Sequence, residues 1–177
     1  MRVIGGEFRS RRLKTIPGLD TRPTPDRLRE TLFDILAPRI ADAVFVDVYA
    51  GTGAVGIEAL SRGAARAVFI ERSRKAVEVI RENLQSLGLA DRASMIQMSA
   101  TLALAAQRGD IFFLDPPYDK EQEYRAALEQ LAAEPPPLVI VQHSKHFAPE
   151  ESYGGLRRTR MLKQGDNVLS FYAPSGG

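Results

Sequence analysis

Six consecutive residues, Val44-Phe45-Val46-Asp47-Val48-Tyr49, are β-prone with almost no polar alternation, and they run directly into Ala50-Gly51-Thr52-Gly53 and a helix-spaced stretch over 54–62. A strand that is apolar on both faces belongs inside a parallel sheet covered by helices. A glycine turn between such a strand and a helix lets the backbone bend sharply and approach a ligand at the carboxyl edge of that sheet. Few folds satisfy both demands, and the rest of the chain repeats the same rhythm. Residues 67–70 read as a second strand. Residues 73–87 read as a helix with Ala76, Val77, Ile80, Leu84 and Leu87 on one face and Gly88 as its C-cap. A weak third strand at 95–96, a short helix at 100–107, a fourth strand at 111–114, a helix at 121–133 and a strand at 138–142 follow. Two runs near 156–162 and 167–173, joined by Gly165-Asp166-Asn167, read as a closing antiparallel hairpin. Strands alternating with helices predict an α/β fold with a doubly wound, mostly parallel sheet.

Ahead of this pattern, residues 2–16 read as a small β-hairpin or extended arm. Thr24-Pro25 reads as an N-cap with proline at the first helical position. Leu28, Leu32, Ile35 and Leu36 give an amphipathic helix over 25–37, which Pro38 is expected to stop. At 177 residues, with 44% apolar and 26% charged side chains, the chain fits one domain. The basic arm and helix (1–38) are expected to be part of it, ahead of a main body over 39–177.

Composition removes several chemistries. There are no cysteines, hence no disulfide, no cysteine-based metal site and no thiolate nucleophile. The two histidines, His143 and His146, do not make a metal site alone, so no metal is expected; both are expected in a loop or at the surface. No apolar run reaches the ~18–20 residues of a membrane span, and the expected location is cytoplasmic. Nothing in the sequence demands more than a monomer. The net charge is only +2, but the first thirty residues hold eight basic and four acidic side chains, a surplus of four, which leaves −2 for the remainder. A basic end on a near-neutral body suggests contact with a polyanion.

Two motifs carry chemistry. In the strand–turn–helix segment, Asp47, Ala50, Gly51, Thr52 and Gly53 are expected to contact a nucleotide-like cofactor, and Glu71, with Arg72 beside it at the end of the second strand, to meet its ribose hydroxyls. The string also fits the dinucleotide fingerprint Gly-x-Gly-x-x-Gly. Asp47 at the end of the first strand would repel a pyrophosphate but favour the cationic amino-acid part of S-adenosylmethionine. Directly after the fourth strand comes Asp115-Pro116-Pro117-Tyr118. The prolines fix two φ angles and stiffen the loop. Asp115 and a backbone carbonyl at Pro116 are then adjacent acceptors, and Tyr118 offers a flat face. That set suits a planar base carrying an amino group, held for in-line attack on an already activated methyl. The base must leave its stack to enter.

The strings Met1-Arg2-Val3-Ile4-Gly5-Gly6, Thr21 through Phe33, Phe45-Val46-Asp47 through Ala64, and Asp115-Pro116-Pro117-Tyr118 together resemble the RsmD-type ribosomal RNA guanine-N2 methyltransferases, which act on small-subunit (16S) RNA. The resemblance implies a Rossmann-like class I methyltransferase fold, with a seven-stranded sheet and a reversed final hairpin. It implies S-adenosylmethionine as cofactor, with Arg22 and Thr24 near it. Ser99 and Ala100 fall where such enzymes often hold an acidic residue near the adenine amine. It implies ribosomal RNA, or the assembling small subunit, as partner, and gives the basic residues Arg9, Arg11, Arg12 and Lys14 a role on RNA phosphates. Arg157, Arg158, Arg160 and Lys163 form a second basic run for which a solvated face is an equal reading. DNA adenine-N6 or cytosine-N4 methylation shares the Asp-Pro-Pro-Tyr chemistry, but the chain leaves little room for a DNA-reading domain. A nicotinamide-dependent oxidoreductase would bind NAD(H) instead, and a non-enzymatic RNA-binding module would bind no cofactor.

Overall fold

The apolar run forms β1 (Val44–Val48) at the interior of an eight-stranded sheet. The computed structural model of the chain describes residues 1–17, 24–117 and 121–176. Around β1 the parallel strands are β2 (Arg66–Glu71), β3 (Ala93–Gln97), β4 (Ile111–Leu114) and β5 (Leu138–Ser144). The antiparallel ones are β6 (Ser152–Tyr153), β7 (Leu156–Gln164) and β8 (Asn167–Pro174). The spatial order is β3-β2-β1-β4-β5-β8-β7-β6. The seven strands expected from the sequence are all present, with the reversed final hairpin, and a two-residue strand, β6, extends the edge.

Helices α1 (Asp26–Ile40), α2 (Ala54–Ser61) and α3 (Arg74–Ser86) supply the core residues of one face. Helices α4 (Ala100–Ala103) and α5 (Glu121–Ala133) supply those of the other. Both faces of β1, β4 and β5 are therefore buried, which is why these strands lack polar alternation. At the end of α3, Gly88 takes φ +69°, Gly88 N–H donates to Gln85 and Leu89 N–H to Leu84. This is the left-handed helix stop that the sequence indicates.

Three expectations are corrected. Helix α1 does not stop at Pro38 but continues to Ile40, because Ile40 is buried in the core and the carbonyl that Pro38 leaves without a donor belongs to exposed Asp34. Thr24 does not cap α1: Pro25 occupies the cap position, and the Thr24 hydroxyl donates to Gln142 Oε1 at 3.3 Å. His143 is no loop residue. Strand β5 runs on to Ser144 because it pairs with β8 through Ser144↔Asn167, and His143 is buried within it. Its Nδ1 lies 2.9 Å from the Ser144 carbonyl, to which it donates, so its Nε2 accepts from Ser170 Oγ at 2.8 Å.

The arm is held tightly. One antiparallel bridge, Arg2↔Arg12, closes it rather than a full hairpin ladder. Its outgoing limb lies on α2, where the Glu58 carboxylate accepts from Ile4 N–H (2.9 Å) and Gly5 N–H (2.8 Å). Its turn reaches Ser61, the last residue of α2. The returning limb lies on α3, where Lys14 and the buried Asn83 exchange backbone-to-side-chain bonds.

Candidate active site

The strand register places the motif residues in one row. Val48 pairs with Ile70 on β2 and Leu114 on β4, and Leu114 pairs with Val141 on β5. The next residues along, Glu71, Tyr49, Asp115 and Gln142, therefore lie side by side at the carboxyl edge, about 5 Å from strand to strand. Asp47 sits two residues below Tyr49, nearly fully buried.

Each side chain has structural work there. Asp47 Oδ2 accepts from Gly56 N–H at 3.0 Å, in the first turn of α2, which anchors the helix to β1. Gly53 caps α2 at φ +80°, which only glycine adopts without strain. Gly56 is required by contact: a Cβ there would run into the Phe69 ring. Glu71 Oε1 accepts from Gly51 N–H at 2.9 Å and its Oε2 from Ser73 N–H at 2.8 Å, so one carboxylate fixes both the glycine turn and the start of α3. Ala50 N–H bonds the Ile70 carbonyl, and the Thr52 hydroxyl accepts from Ala54 N–H. Ser99 stands at the start of α4 with Ala100 buried behind it, and Arg72 is exposed beside Glu71. Thr24, held by Gln142 on β5, is brought to the same edge. Arg22 and Tyr118 lie outside the described residues.

Burial pushes the Asp115 carboxyl up to about 7. Asp47 is raised as well, by burial first and then by the charges of Asp115 and Glu71, against the lowering effect of the Gly56 bond. No lysine or arginine is paired with Asp47, Glu71 or Asp115 in any ion pair among the described residues. Three carboxylates at one sheet edge, two of them destabilised as anions, make a site that favours a cationic ligand. Asp115 and the buried Pro116 follow β4 directly, so the loop leaves the core rigidly.

The sequence reading missed Tyr49. It has φ +62°, a left-handed conformation that is strained for a bulky side chain. In a continuing strand, residue 49 would share the face of Asp47. The left-handed turn instead sends its ring toward the α4/α5 face, where its hydroxyl donates to Glu123 Oε2 at 2.7 Å. No sequence signal announces this, because nothing marks a tyrosine for positive φ.

Of the four arm residues expected on RNA, Lys14 is ion-paired with Glu82 at 2.7 Å, and Arg11 donates to the Ser86 carbonyl at 3.1 Å. Arg9 and Arg12 are exposed. The arm's turn sits at the far ends of α2 and α3. For the eight residues of α2 that is about 12 Å down the helix from the glycine turn.

A family model described as "Conserved hypothetical protein 95" matches residues 1–173. The Bacillus subtilis protein YlbH is 36% identical over 185 residues, spanning 99% of this chain and 100% of that one. The Escherichia coli ribosomal RNA small subunit methyltransferase D is 45% identical over 121 residues, 67% of this chain and 60% of that one. Among solved structures, the Escherichia coli protein yhhF superposes with a TM-score of 0.86 at 32% identity, covering 100% of this chain and 99% of that one.

Proposed function

This chain belongs to the RsmD-type family of ribosomal RNA methyltransferases, and on that premise we propose that it transfers a methyl group from S-adenosylmethionine to the exocyclic N2 of a guanine in small-subunit ribosomal RNA. The observation that carries the proposal is the partly buried Asp115, the residue after β4, whose carboxyl is raised by desolvation and which lies in one row with Glu71 and above Asp47.

The residues fit the cofactor. Asp47 and Glu71 flank the turn Ala50-Gly51-Thr52-Gly53, and their negative charge, which has no ion-pair partner among the described residues, suits a ligand bearing an ammonium and a sulfonium. Asp47 would face its amino-acid part. Glu71, whose two oxygens each hold one backbone N–H, keeps further lone pairs for ribose hydroxyls. Thr24, Arg22, Arg72, Ser99 and Ala100 would complete the surround. The cofactor supplies a methyl on positively charged sulfur that needs no further activation.

The chain's own task is positioning. Asp115 and the Pro116 carbonyl accept the two amino hydrogens, which holds the nitrogen in line and draws its lone pair out of the ring. Methyl transfer would leave the nitrogen with a surplus proton, which the Asp115 carboxylate would take, its raised pKa making it a better acceptor than an ordinary aspartate. Tyr118 would stack on the base. The arm, α1 and main body act as one domain, since Glu58 joins the first to the last. Monomeric action in the cytoplasm, where ribosomal subunits are assembled, completes the reading.

The test offers labelled S-adenosylmethionine with unmodified small-subunit RNA, its protein-bound particle, or DNA, followed by nucleoside identification. N2-methylguanosine from either RNA sample is the expected result. N6-methyladenine or N4-methylcytosine from DNA would retain the chemistry and overturn the substrate.

A further inference from the structure

We propose that the outer edge of β7 is the track along which the phosphate backbone of the substrate RNA lies, a reading that rests on the proposed function above. Strand β7 pairs with β8 from Leu156 to Gln164, with a register shift at Thr159, but β6 covers only Leu156 and Arg157, so among the described residues no strand pairs with the other edge from Thr159 to Gln164. Outward N–H groups of such an edge are free donors, and backbone donors are common phosphate contacts. The segment 156–164 carries Arg157, Arg158, Arg160 and Lys163 and no acidic residue.

One of these cations is neutralised: Arg158 meets Glu151 and the Pro149 carbonyl. Arg157, Arg160 and Lys163 are exposed and form no ion pair among the described residues. Arg160 lies over the Phe171 ring at 5.9 Å, which leaves its charge outward. The register alternates them around the edge. Arg160 shares a face with Phe171 on the α1 side, and Lys163 shares one with Val168 on the other. A backbone along the edge meets cations from both faces.

Topology connects the track to the site. Strand β7 ends at Gln164, which pairs with Asn167, which in turn pairs with Ser144 at the carboxyl end of β5. Leu162 is thus level with Gln142 and Asp115, three strand spacings or about 14 Å from the reacting carboxylate. The arm's turn, by contrast, lies at the opposite ends of α2 and α3. The arm's two ends reach the same edge at the glycine turn, where Met1 meets Thr52 and Arg2 faces Arg12, whereas β7 reaches it on the β4–β5 side, next to Asp115.

The experiment compares the wild-type chain, Arg157→Gln/Arg160→Gln/Lys163→Gln, and Arg9→Gln/Arg12→Gln. It reads anisotropy of a fluorescein-labelled, unmodified small-subunit RNA fragment across a salt series, methyl transfer on the same RNA, and sedimentation of the free protein. The β7 variant is expected to weaken RNA binding about tenfold or more at low salt. Its log–log salt slope should fall by about 2–3, the counterion release of three phosphate contacts. The arm variant should change both much less. Unchanged affinity and slope in the β7 variant, with its melting temperature intact, would overturn the proposal. So would a wild-type dimer that this variant dissolves, since the edge would then pair with a second copy. β7-dependent RNA binding without any methyl transfer would uphold the track and remove the enzymatic reading instead.

Discussion

Burial pushes the Asp115 carboxyl up to about 7, with no cation paired to it among the described residues, and two measurable consequences follow. In the proposed mechanism proton transfer needs the carboxylate, so kcat should rise about tenfold per pH unit below 7 and level off above it; a flat profile from pH 5.5 to 8 would remove Asp115 as acceptor. The folded chain also holds this proton more tightly than the unfolded chain. The associated stability is fully present below about pH 4 and is lost as the pH rises through 7. Asp115→Asn should therefore bind cofactor, lose methyl transfer by about 100-fold or more, and gain about 1–3 kcal/mol at pH 8 with little change at pH 4. Thermal melts at the two pH values check this. Asp115 was legible in the sequence because Asp-Pro-Pro-Tyr after an apolar strand has one obvious place in such a sheet. Tyr49 was not, because its role depends on a backbone angle.

Between elements, two ties deserve variants. The Tyr49–Glu123 bond joins the glycine turn to α5, the helix that follows the Asp-Pro-Pro loop, and so links the turn proposed to hold the cofactor to the loop proposed to hold the base. Tyr49→Phe keeps the ring and removes the hydroxyl. It should cost about 1 kcal/mol of stability and lower kcat more than it raises the cofactor KM; a non-additive double-mutant cycle with Glu123→Gln would assign the effect to this bond. The second tie is Glu58, buried in α2, which also meets Arg29 at 3.7 Å and Arg62 at 2.9 Å. Arg29 is itself fully buried, and its Nε and Nη1 have no hydrogen-bond partner among the described residues. Its pKa is lowered, by burial first, despite the opposing charges of Glu58 and Asp26. Glu58→Ala would leave that guanidinium with Asp26, at 3.1 Å, as its one carboxylate and orphan two backbone N–H groups, for a loss of about 3–5 kcal/mol in denaturant unfolding. Element boundaries followed the sequence where periodicity spoke, as in β4 and α5, which match residue for residue. They departed where tertiary contacts decided, as at Pro38, which Ile40 carries past, and at His143, which β8 draws into the sheet.

For the molecule as a whole, the doubly wound order was readable because buried parallel strands and amphipathic helices alternate with clear turns. What spacing did not reveal was where the basic arm would lie, since its position depends on partners far along the chain. Those partners are Glu58, Ser61, Asn83 and Ser86, separated from the arm by 53 to 75 residues. Closing loops of that length costs entropy before any contact is gained. The arm, although it precedes α2 and α3 in the chain, is therefore among the last parts to settle, because it has no surface to rest on until those helices have formed behind it. In a refolding experiment with pulsed hydrogen exchange, the amides of Val3, Ile4 and Leu13 should gain protection after those of Phe45 to Val48, and a chain cut short before α3 should leave them exchanging freely.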